Sequence, residues 1–321
     1  MKYLVTLKPL EPFMFGGDQT FGTLGDKDAG SYFIKSRPFP QQTALLGMLK
    51  KEMMTQAGLL TRKRRGEWVD KQKKAQASKL VGNEKFNMLE EKKQDFGAIK
   101  SLSPLFLLSK GKRYIKKVNI DAYPYEEGVL KGFNAKIDIY DNFVSLDENK
   151  SLQMKTVFRT VEQTGNKKGG EENSLFRKVS YMLNEGFSFA FYAELDVELN
   201  DALVTLGADR SSFMMHVQKD DATLNYLDKQ GHMTLLSDAY ISVNIKENCV
   251  FAITSELSHR NLKGKKTATQ KYKTVFGKSE TLYLYEKGSV FIEPNQTLLD
   301  NINNNNLQQI GYNHYTLGEK K

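Results

Sequence analysis

Five glycines lie within fifteen positions near the start of the chain, and this segment limits the possible folds more than any other. They are Gly16, Gly17, Gly22, Gly25 and Gly30. Glycine adopts positive φ readily and weakens helices and strands, so a long loop is predicted here. A strand is predicted before it at residues 3–7, and an amphipathic helix after it at 41–56, ended by Gly58. The chain therefore opens with a strand, a glycine-rich loop and a helix.

The rest of the chain shows the patterns of an α+β protein. Apolar and polar residues alternate over 187–195, which predicts a half-buried strand. Turn residues at 184–186 predict a hairpin that joins 175–182 to this strand, and turn residues at 286–288 predict a last hairpin. The spacing of the leucines over 199–206 predicts a short helix that Gly207 ends.

The length of 321 residues predicts two domains, because it exceeds the size at which one hydrophobic core keeps growing. We place the first at residues 1–150, with a basic, helical insertion at about 61–95. The second covers 151–321 and carries a mobile arm at about 163–174, where the sequence is polar and rich in glycine. Two α+β units with antiparallel strands are the simplest architecture.

Positive charge is concentrated in two segments of a chain whose formal net charge is +9. Residues 61–120 contain 17 Lys or Arg against 6 Asp or Glu, and residues 260–278 contain seven Lys or Arg and no acid. Clustered cations attract polyanions because each neutralised phosphate releases condensed counterions. The pattern favours nucleic-acid binding by 260–278, whereas a solvated helix face explains the charge of 61–120 equally well.

The sequence lacks the residue patterns of common catalytic and metal sites. The four histidines and the one cysteine, Cys249, form no cluster with zinc-ligand spacing, and Gly277-Lys278-Ser279 lacks the earlier glycine of a phosphate-binding loop. We therefore expect no metal and no cofactor. The apolar runs are shorter than the roughly 18 residues of a membrane-spanning helix, and one cysteine excludes an intrachain disulfide. A soluble cytoplasmic protein is expected.

Two features could serve either function or structure. The aromatic residues of 187–192 partly match the strand of RNA-recognition domains that stacks on bases, but an aromatic-rich strand is more often core. Glu185 also stands where a cation should contact phosphate. His314 could act as a general acid–base, although a single histidine of this kind is more often a surface or packing residue. The structural role is predicted for both.

Several short motifs follow one another in a characteristic order. They are Pro12-Phe13-Met14-Phe15, Phe39-Pro40-Gln41-Gln42, Asp95-Phe96-Gly97, Ser103-Pro104-Leu105-Phe106, Gly207-Ala208-Asp209-Arg210 and Ile310-Gly311-Tyr312-Asn313. In this order they resemble the Cas5-like RAMP subunit of type III-B (Cmr) CRISPR effector complexes, the third Cmr protein. The resemblance extends from residue 9 to about 313, although Gly16 stands where the family commonly has an arginine.

The resemblance implies two ferredoxin-like (RRM-like) domains with antiparallel sheets, and a non-catalytic role in antiviral defence. Such a subunit would cap the 5′ repeat-derived handle of the guide RNA. It would contact the polymerase/cyclase-like large subunit and the first backbone RAMP subunit, would meet target RNA only indirectly and would need no membrane. The alternative is a RAMP-type, metal-independent endoribonuclease that matures guide RNA. A third interpretation makes the basic insertion a docking surface for an acidic protein.

The predicted RNA-binding residues combine backbone that allows close approach with cationic and amide donors. They are Gly16, Gly17, Gln19 and Phe21 in the glycine-rich segment, Arg37, Gln41 and Gln42 before and at the start of the helix, Arg159, Arg177 and Lys178 beside the arm, Arg210 after Gly207, and Arg260, Lys263, Lys265 and Lys266 in the second basic segment.

Overall fold

A computed structural model describes most of the chain. The described residues are 1–16, 19–21, 32–64, 67–118, 123–134, 142–148, 150–166, 175–207, 209–224, 228, 231–260, 262–266, 274–278 and 280–318. Of residues 19–21, 32–33, 63, 166, 175–176, 262–266 and 274–278 only the backbone is described. Within this part of the chain, none of the helices has the length and apolar composition that crossing a bilayer takes.

Strands outnumber helices among the described elements. The strands are β1 (Lys2–Pro9), β2 (Gln19–Phe21), β3 (Tyr32–Lys35), β4 (Lys63–Arg64), β5 (Glu67–Trp68), β6 (Ile99–Leu102), β7 (Phe106–Ser109), β8 (Lys112–Lys116), β9 (Tyr125–Glu126), β10 (Val129–Leu130), β11 (Asn142–Ser145), β12 (Ser151–Gln153), β13 (Phe158–Asn166), β14 (Leu175–Leu183), β15 (Phe187–Leu195), β16 (Ala202–Leu206), β17 (Ser211–Lys219), β18 (His232–Leu235), β19 (Phe251–Ile253), β20 (Glu256–His259), β21 (Leu262–Lys266), β22 (Thr274–Lys278), β23 (Leu282–Tyr285), β24 (Val290–Ile292) and β25 (Tyr315–Leu317). The helices are α1 (Gln42–Gln56), α2 (Lys71–Val81), α3 (Met154–Val157), α4 (Ile245–Asn248), α5 (Gln296–Ile302) and α6 (Asn305–Gln309).

The largest sheet has β1 near its centre and runs in the order β12-β11-β8-β7-β15-β1-β17-β16, with β6 also paired to β15. Val5 of β1 lies opposite Phe191 on one side and Val217 on the other, and all these pairings are antiparallel. Alternate residues of β1 are buried, so one face of the strand supplies the core. Leu45 and Leu49 of α1 are fully buried in the same core cluster, which confirms the predicted helix.

A second sheet, in the order β19-β24-β18-β25, forms the other unit. Its strands, numbered as they occur in the chain, are arranged second, third, first, fourth. The central strands of the large sheet, β7-β15-β1-β17, are arranged in the same way. The α+β class with mostly antiparallel sheets is thus confirmed, whereas the assignment to two ferredoxin-like domains stays a prediction.

The division predicted at residue 150 does not coincide with a change of sheet. It falls between β11 and β12, which pair with each other at the edge of the large sheet. That sheet also takes strands from both predicted domains, since β1 pairs with β15 and β17. The change from one sheet to the other falls between Lys219 and His232.

Both hairpins predicted from turn residues at 184–186 and 286–288 are wrong, although the turns are present. The strands on each side of a turn join different sheets: β14 pairs with β13 and β3, and β15 with β1 and β7. Likewise, β23 pairs with β20, and β24 with β18 and β19. The helix predicted over 199–206 is also wrong. Residues 202–206 form the edge strand β16, in which Val204 and Leu206 are buried and Leu203 is 62% exposed, the period of two of a strand.

The basic insertion is packed on the first unit and is only partly helical. Asp70 caps α2, its Oδ1 accepting a hydrogen bond from the Lys73 backbone N at 2.8 Å. Ala77 and Val81 of α2 are buried, and so is Phe96 beyond it. The prediction of a helix across 62–95 is therefore right only for α2, the rest being the β4–β5 hairpin and irregular backbone.

Candidate nucleic-acid interface

The segment that leads into the glycine-rich loop is anchored in the aromatic core. Phe13 and Phe15 are buried, with ring centroids 4.7 Å apart, and the Phe13 ring meets the Phe189 ring at 5.5 Å, edge to face. The Phe13 backbone N donates to the Tyr181 carbonyl at 2.8 Å, which ties the segment to β14. Gly16 follows at the surface, and nothing lies within 4 Å of the position of a Cβ there. The start of the loop is thus fixed by packing, while its surface stays open.

A four-stranded sheet, β13-β14-β3-β2, brings together residues that are far apart in the chain. Gln19 of β2 lies opposite Ile34, Ile34 is in register with Lys178, and Lys178 lies opposite Gln163. Thr20, Phe33, Arg177 and Thr164 form the next row. Phe21 belongs to the same short strand β2, whereas Gly17 lies outside the described residues. The glycine-rich segment and the base of the predicted arm are therefore neighbours in one sheet.

The cations of this sheet differ in how they are partnered. Arg177 pairs with Glu162, its Nε lying 3.0 Å from the carboxylate, and Lys178 pairs with Asp209. Arg159 is exposed, and its Nη2 lies 3.0 Å from the Met182 sulfur. Exposed ion pairs contribute little to stability, so Arg177 can exchange its carboxylate for another anion at small cost.

The Gly207 turn adds Arg210 to this surface. Gly207 has φ +91°, and a Cβ there would lie 2.5 Å from the Met14 carbonyl oxygen, so the turn fits against the segment before the glycine-rich loop only with glycine. Arg210 is itself left-handed at φ +56° and is exposed. The Lys178–Asp209 pair joins the turn to β14.

The residues at the start of α1 have different surroundings. Gln42 is buried at 3% exposure, and a Cβ on Gly311 would lie 2.9 Å from its Nε2. Its predicted role as a phosphate donor is therefore wrong, because the closing Gly311-Tyr312 motif covers it. Gln41 is half-buried and its side chain makes no capping hydrogen bond. Arg37 donates from Nη2 to the Ser258 carbonyl oxygen at 2.8 Å, which links the first unit to the second.

The second basic segment forms a separate two-stranded sheet. Lys263 lies opposite Gly277, Lys265 opposite Val275 and Lys266 opposite Thr274 across β21 and β22. Arg260 precedes them at the surface, with its Nε 2.5 Å from the Thr281 hydroxyl oxygen. No described ladder joins this sheet to the four-stranded sheet, so the structure gives two cationic surfaces.

Lys35, the last residue of β3, belongs to the surface of the four-stranded sheet and was not among the predicted RNA-binding residues. It is exposed and lies in register with Val179, beside Arg177 and Lys178. The signal was present, since Lys35 and Arg37 are two cations that follow the glycine-rich segment at alternate positions.

The surroundings of the β15 aromatic residues and of His314 are those of structural residues. Phe189 and Phe191 of β15 are fully buried, which confirms the core role and makes stacking on bases wrong for them. The His314 ring is half-buried, with Nε2 2.9 Å from the Gln308 carbonyl oxygen, and its partial burial lowers the pKa of the imidazole. His216 is exposed, with Nδ1 2.8 Å from Asp201. Among the described residues, no three His, Cys, Asp or Glu side chains are grouped as a metal site would need.

Comparison with known proteins agrees with the motifs. Residues 5–116 match the family model described as CRISPR-associated protein (Cas_Cmr3). The match covers about a third of the chain, from its first strand through β8. The resemblance drawn from the short motifs is thereby confirmed. No curated protein matches the chain in sequence.

Two solved structures share the fold of this chain along nearly its whole length. One is a chain of the cryo-EM structure of the type III-B Cmr-beta bound to cognate target RNA, with a TM-score of 0.54, 16% sequence identity, and coverage of 99% of this chain and 96% of that chain. The other is from Cmr-beta bound to cognate target RNA and AMPPnP in state 1, with a TM-score of 0.53, 14% identity, and coverage of 98% and 96%. At such identities the likeness concerns the fold.

Proposed function

We propose that this protein is a guide-RNA-binding, non-catalytic subunit of a type III-B CRISPR ribonucleoprotein. The observation that carries the proposal is the four-stranded sheet, where the glycine-rich segment, Arg177 and Lys178 are neighbours. The Gly207 turn brings Arg210 to the same surface. Cations beside accessible glycine backbone hold phosphates, as single-stranded RNA binding needs. Chains of similar fold occur in Cmr-beta structures solved with cognate target RNA, which supports RNA as the ligand.

The finer role we propose is a cap on the 5′ repeat-derived handle. In that position the protein contacts both the polymerase/cyclase-like large subunit and the first backbone RAMP subunit. It has no direct contact with target RNA. The complex acts in the cytoplasm. The common strand order of the two sheets supports two ferredoxin-like units as the frame. The second basic surface, at β21 and β22, is then available to RNA or to a neighbouring subunit.

Salt dependence of RNA binding tests the proposal. About five phosphate contacts give a slope near −3.5 for log affinity against log salt concentration with single-stranded RNA. The measurement is a titration of the full-length protein with a repeat-handle RNA at several KCl concentrations. A slope near zero would favour protein docking as the use of the basic surfaces. Isolation of the assembled complex without guide RNA would contradict the proposal outright.

The endoribonuclease alternative has its own experiment. Purified protein is incubated with repeat RNA in the presence of EDTA, and the products are separated on a denaturing gel. Uncut RNA is the expected result. Site-specific cutting that resists EDTA would instead assign guide-RNA maturation to this chain.

A further inference from the structure

A cavity of about 200 Å³ lies between the two units, just before α1. The first unit contributes Arg37, Phe39 and Gln41. The second contributes Asp238 after β18, the first two residues of β20, and two residues that follow β23. The walls are held together by the Arg37–Ser258 hydrogen bond of 2.8 Å and by the Lys116–Glu286 ion pair of 2.8 Å. The cavity is therefore part of the contact between the units and keeps its shape while they stay together.

Lys287 projects into this cavity with a buried amine. It lies in the turn between β23 and β24 at 6% exposure, and its Nζ is 4.3 Å from the centroid of the Phe39 ring. Among the described residues no atom accepts a hydrogen bond from Nζ; Asp238 accepts one only from the Lys287 backbone N, at 3.0 Å. Burial lowers the pKa of the amine, although the nearby Asp238 carboxylate acts in the opposite direction. Lysine is almost never fully buried unless it is paired, so this donor points to an acceptor that the described part of the chain does not supply.

The lining indicates the chemistry of that acceptor. Arg37, Gln41 and Lys287 offer donors, and Asp238, Glu256 and Glu286 offer acceptors. Three carboxylates against two cations disfavour a phosphate group. Phe39 and Leu257 add apolar surface beside these groups. Donors, acceptors and apolar surface in one small cavity match the edge and faces of a heteroaromatic base, which RNA-binding proteins read by hydrogen bonding and stacking.

We propose that the cavity binds one nucleobase of single-stranded RNA, with Lys287 Nζ donating a hydrogen bond to the base. The inference rests on the proposed RNA-binding function and adds to it a specificity pocket. Arg37 lies two residues after β3, and its backbone N donates to the Phe15 carbonyl at 3.1 Å. The mouth of the cavity is thus adjacent to the four-stranded sheet, so RNA held there by its phosphates can turn one base into the cavity.

The test replaces Lys287 by Met, which keeps the length and apolar contacts of the side chain and removes the donor. K287M is expected to bind handle RNA about tenfold more weakly, because a buried hydrogen bond to the base is lost. Its urea midpoint is expected to equal or exceed that of the wild type, because no buried amine then has to be desolvated. The matched control is Lys246→Met on the exposed helix α4, which should change neither quantity.

A scan of abasic positions in the RNA makes the test specific. One position should weaken binding to the wild type about tenfold and leave binding to K287M unchanged, because the two changes remove the same contact. Wild-type affinity of K287M for every RNA in the scan would overturn the base pocket and leave the RNA-binding function intact. Protection from thermal unfolding by inorganic phosphate in the wild type, lost in K287M, would also overturn it by assigning an anion. A wild-type protein that retains no RNA, alone or in its complex, would defeat the proposed function itself.

Discussion

The two cation-rich surfaces of the first unit differ in how their charges are partnered. In the basic insertion, the exposed Lys71, Lys73 and Lys79 of α2 have no carboxylate within ion-pairing distance among the described residues. On the four-stranded sheet, by contrast, Arg177 pairs with Glu162 and Lys178 with Asp209. The insertion has more charge, but the charges on the sheet are oriented by carboxylate partners. A dense run of lysines therefore attracts polyanions in general. A preformed binding surface needs more, namely partner groups that hold the cationic side chains in one orientation.

The cations of the four-stranded sheet depend on the Gly207 turn, which packs against the segment before the glycine-rich loop. The variant Gly207→Ala tests this support. Because Gly207 has φ +91° and a Cβ would lie 2.5 Å from the Met14 carbonyl oxygen, the variant should lose about 3 kcal/mol of unfolding free energy and at least tenfold in RNA affinity. Gly111→Ala is the control, since φ is +75° there but nothing lies within 4 Å, and it should lose about 1 kcal/mol. Urea unfolding and RNA titration measure both. Equal losses in the two variants would mean that the close approach at Gly207 has no role.

Neutralising two cations on each surface sharpens the comparison. Lys35→Gln with Arg210→Gln should make the salt slope of RNA binding shallower by about 1.4, because two phosphate contacts are lost. Lys71→Gln with Lys73→Gln on α2 removes the same charge and should leave the slope unchanged. Both variants are titrated with the same RNA over the same KCl series. A shallower slope for the α2 variant alone would reverse the assignment of the two surfaces.

The second basic segment can extend the comparison to the assembled complex. Neutralising Lys263, Lys265 and Lys266 together should weaken RNA retention several-fold without unfolding the chain, because β21 is a short two-stranded hairpin apart from the large core. Retention is measured after affinity purification in high salt, and folding by circular dichroism. Unchanged retention would remove this surface from the interface.

The smallest expected effect reports on how the insertion is attached. Lys50 of α1 lies with Nζ 4.4 Å from the centroid of the Phe96 ring and 3.2 Å from the Glu84 carbonyl oxygen, and burial lowers its pKa to about 8. Between pH 8 and the usual 10.5 the unfolded chain binds more protons at this residue, so its contribution to the unfolding free energy rises with pH. Lys50→Met should lack this rise relative to the wild type, while Lys51→Met should keep it. Equal pH profiles for wild type and K50M would indicate that the insertion does not cover Lys50.

Local elements were predictable from the sequence because their signals are local. The helix α1 and the burial of the β15 aromatics follow from periodicity, whereas Gln19–Phe21, which were expected in a loop, form the strand β2. The pairing of the strands could not be predicted from these local signals. The turns at 184–186 and 286–288 are where expected, but each of the strands beside them pairs with more distant strands. A turn residue reports only its own backbone conformation, and hydrophobic contacts from elsewhere in the chain select the partner.

The candidate site was predictable in its residue types and less so in its geometry. Arg177, Lys178 and Arg210 were expected near RNA, and the structure places them on one surface. Gln42 was expected to be accessible, but it is covered by a turn that lies about 270 residues later in the chain. Lys287 carried no signal at all, because its burial depends on Phe39 in the other unit. Contacts between the two units join residues that are far apart in the sequence, so a local sequence pattern does not predict them.

The position of β1 has a consequence for biosynthesis. This strand is synthesised before both strands that flank it, because β15 and β17 come about 180 to 210 residues later. At about 5–20 residues per second, its apolar face waits on the order of 10–40 s for a partner. During translation that nascent edge is a natural client for a holding chaperone.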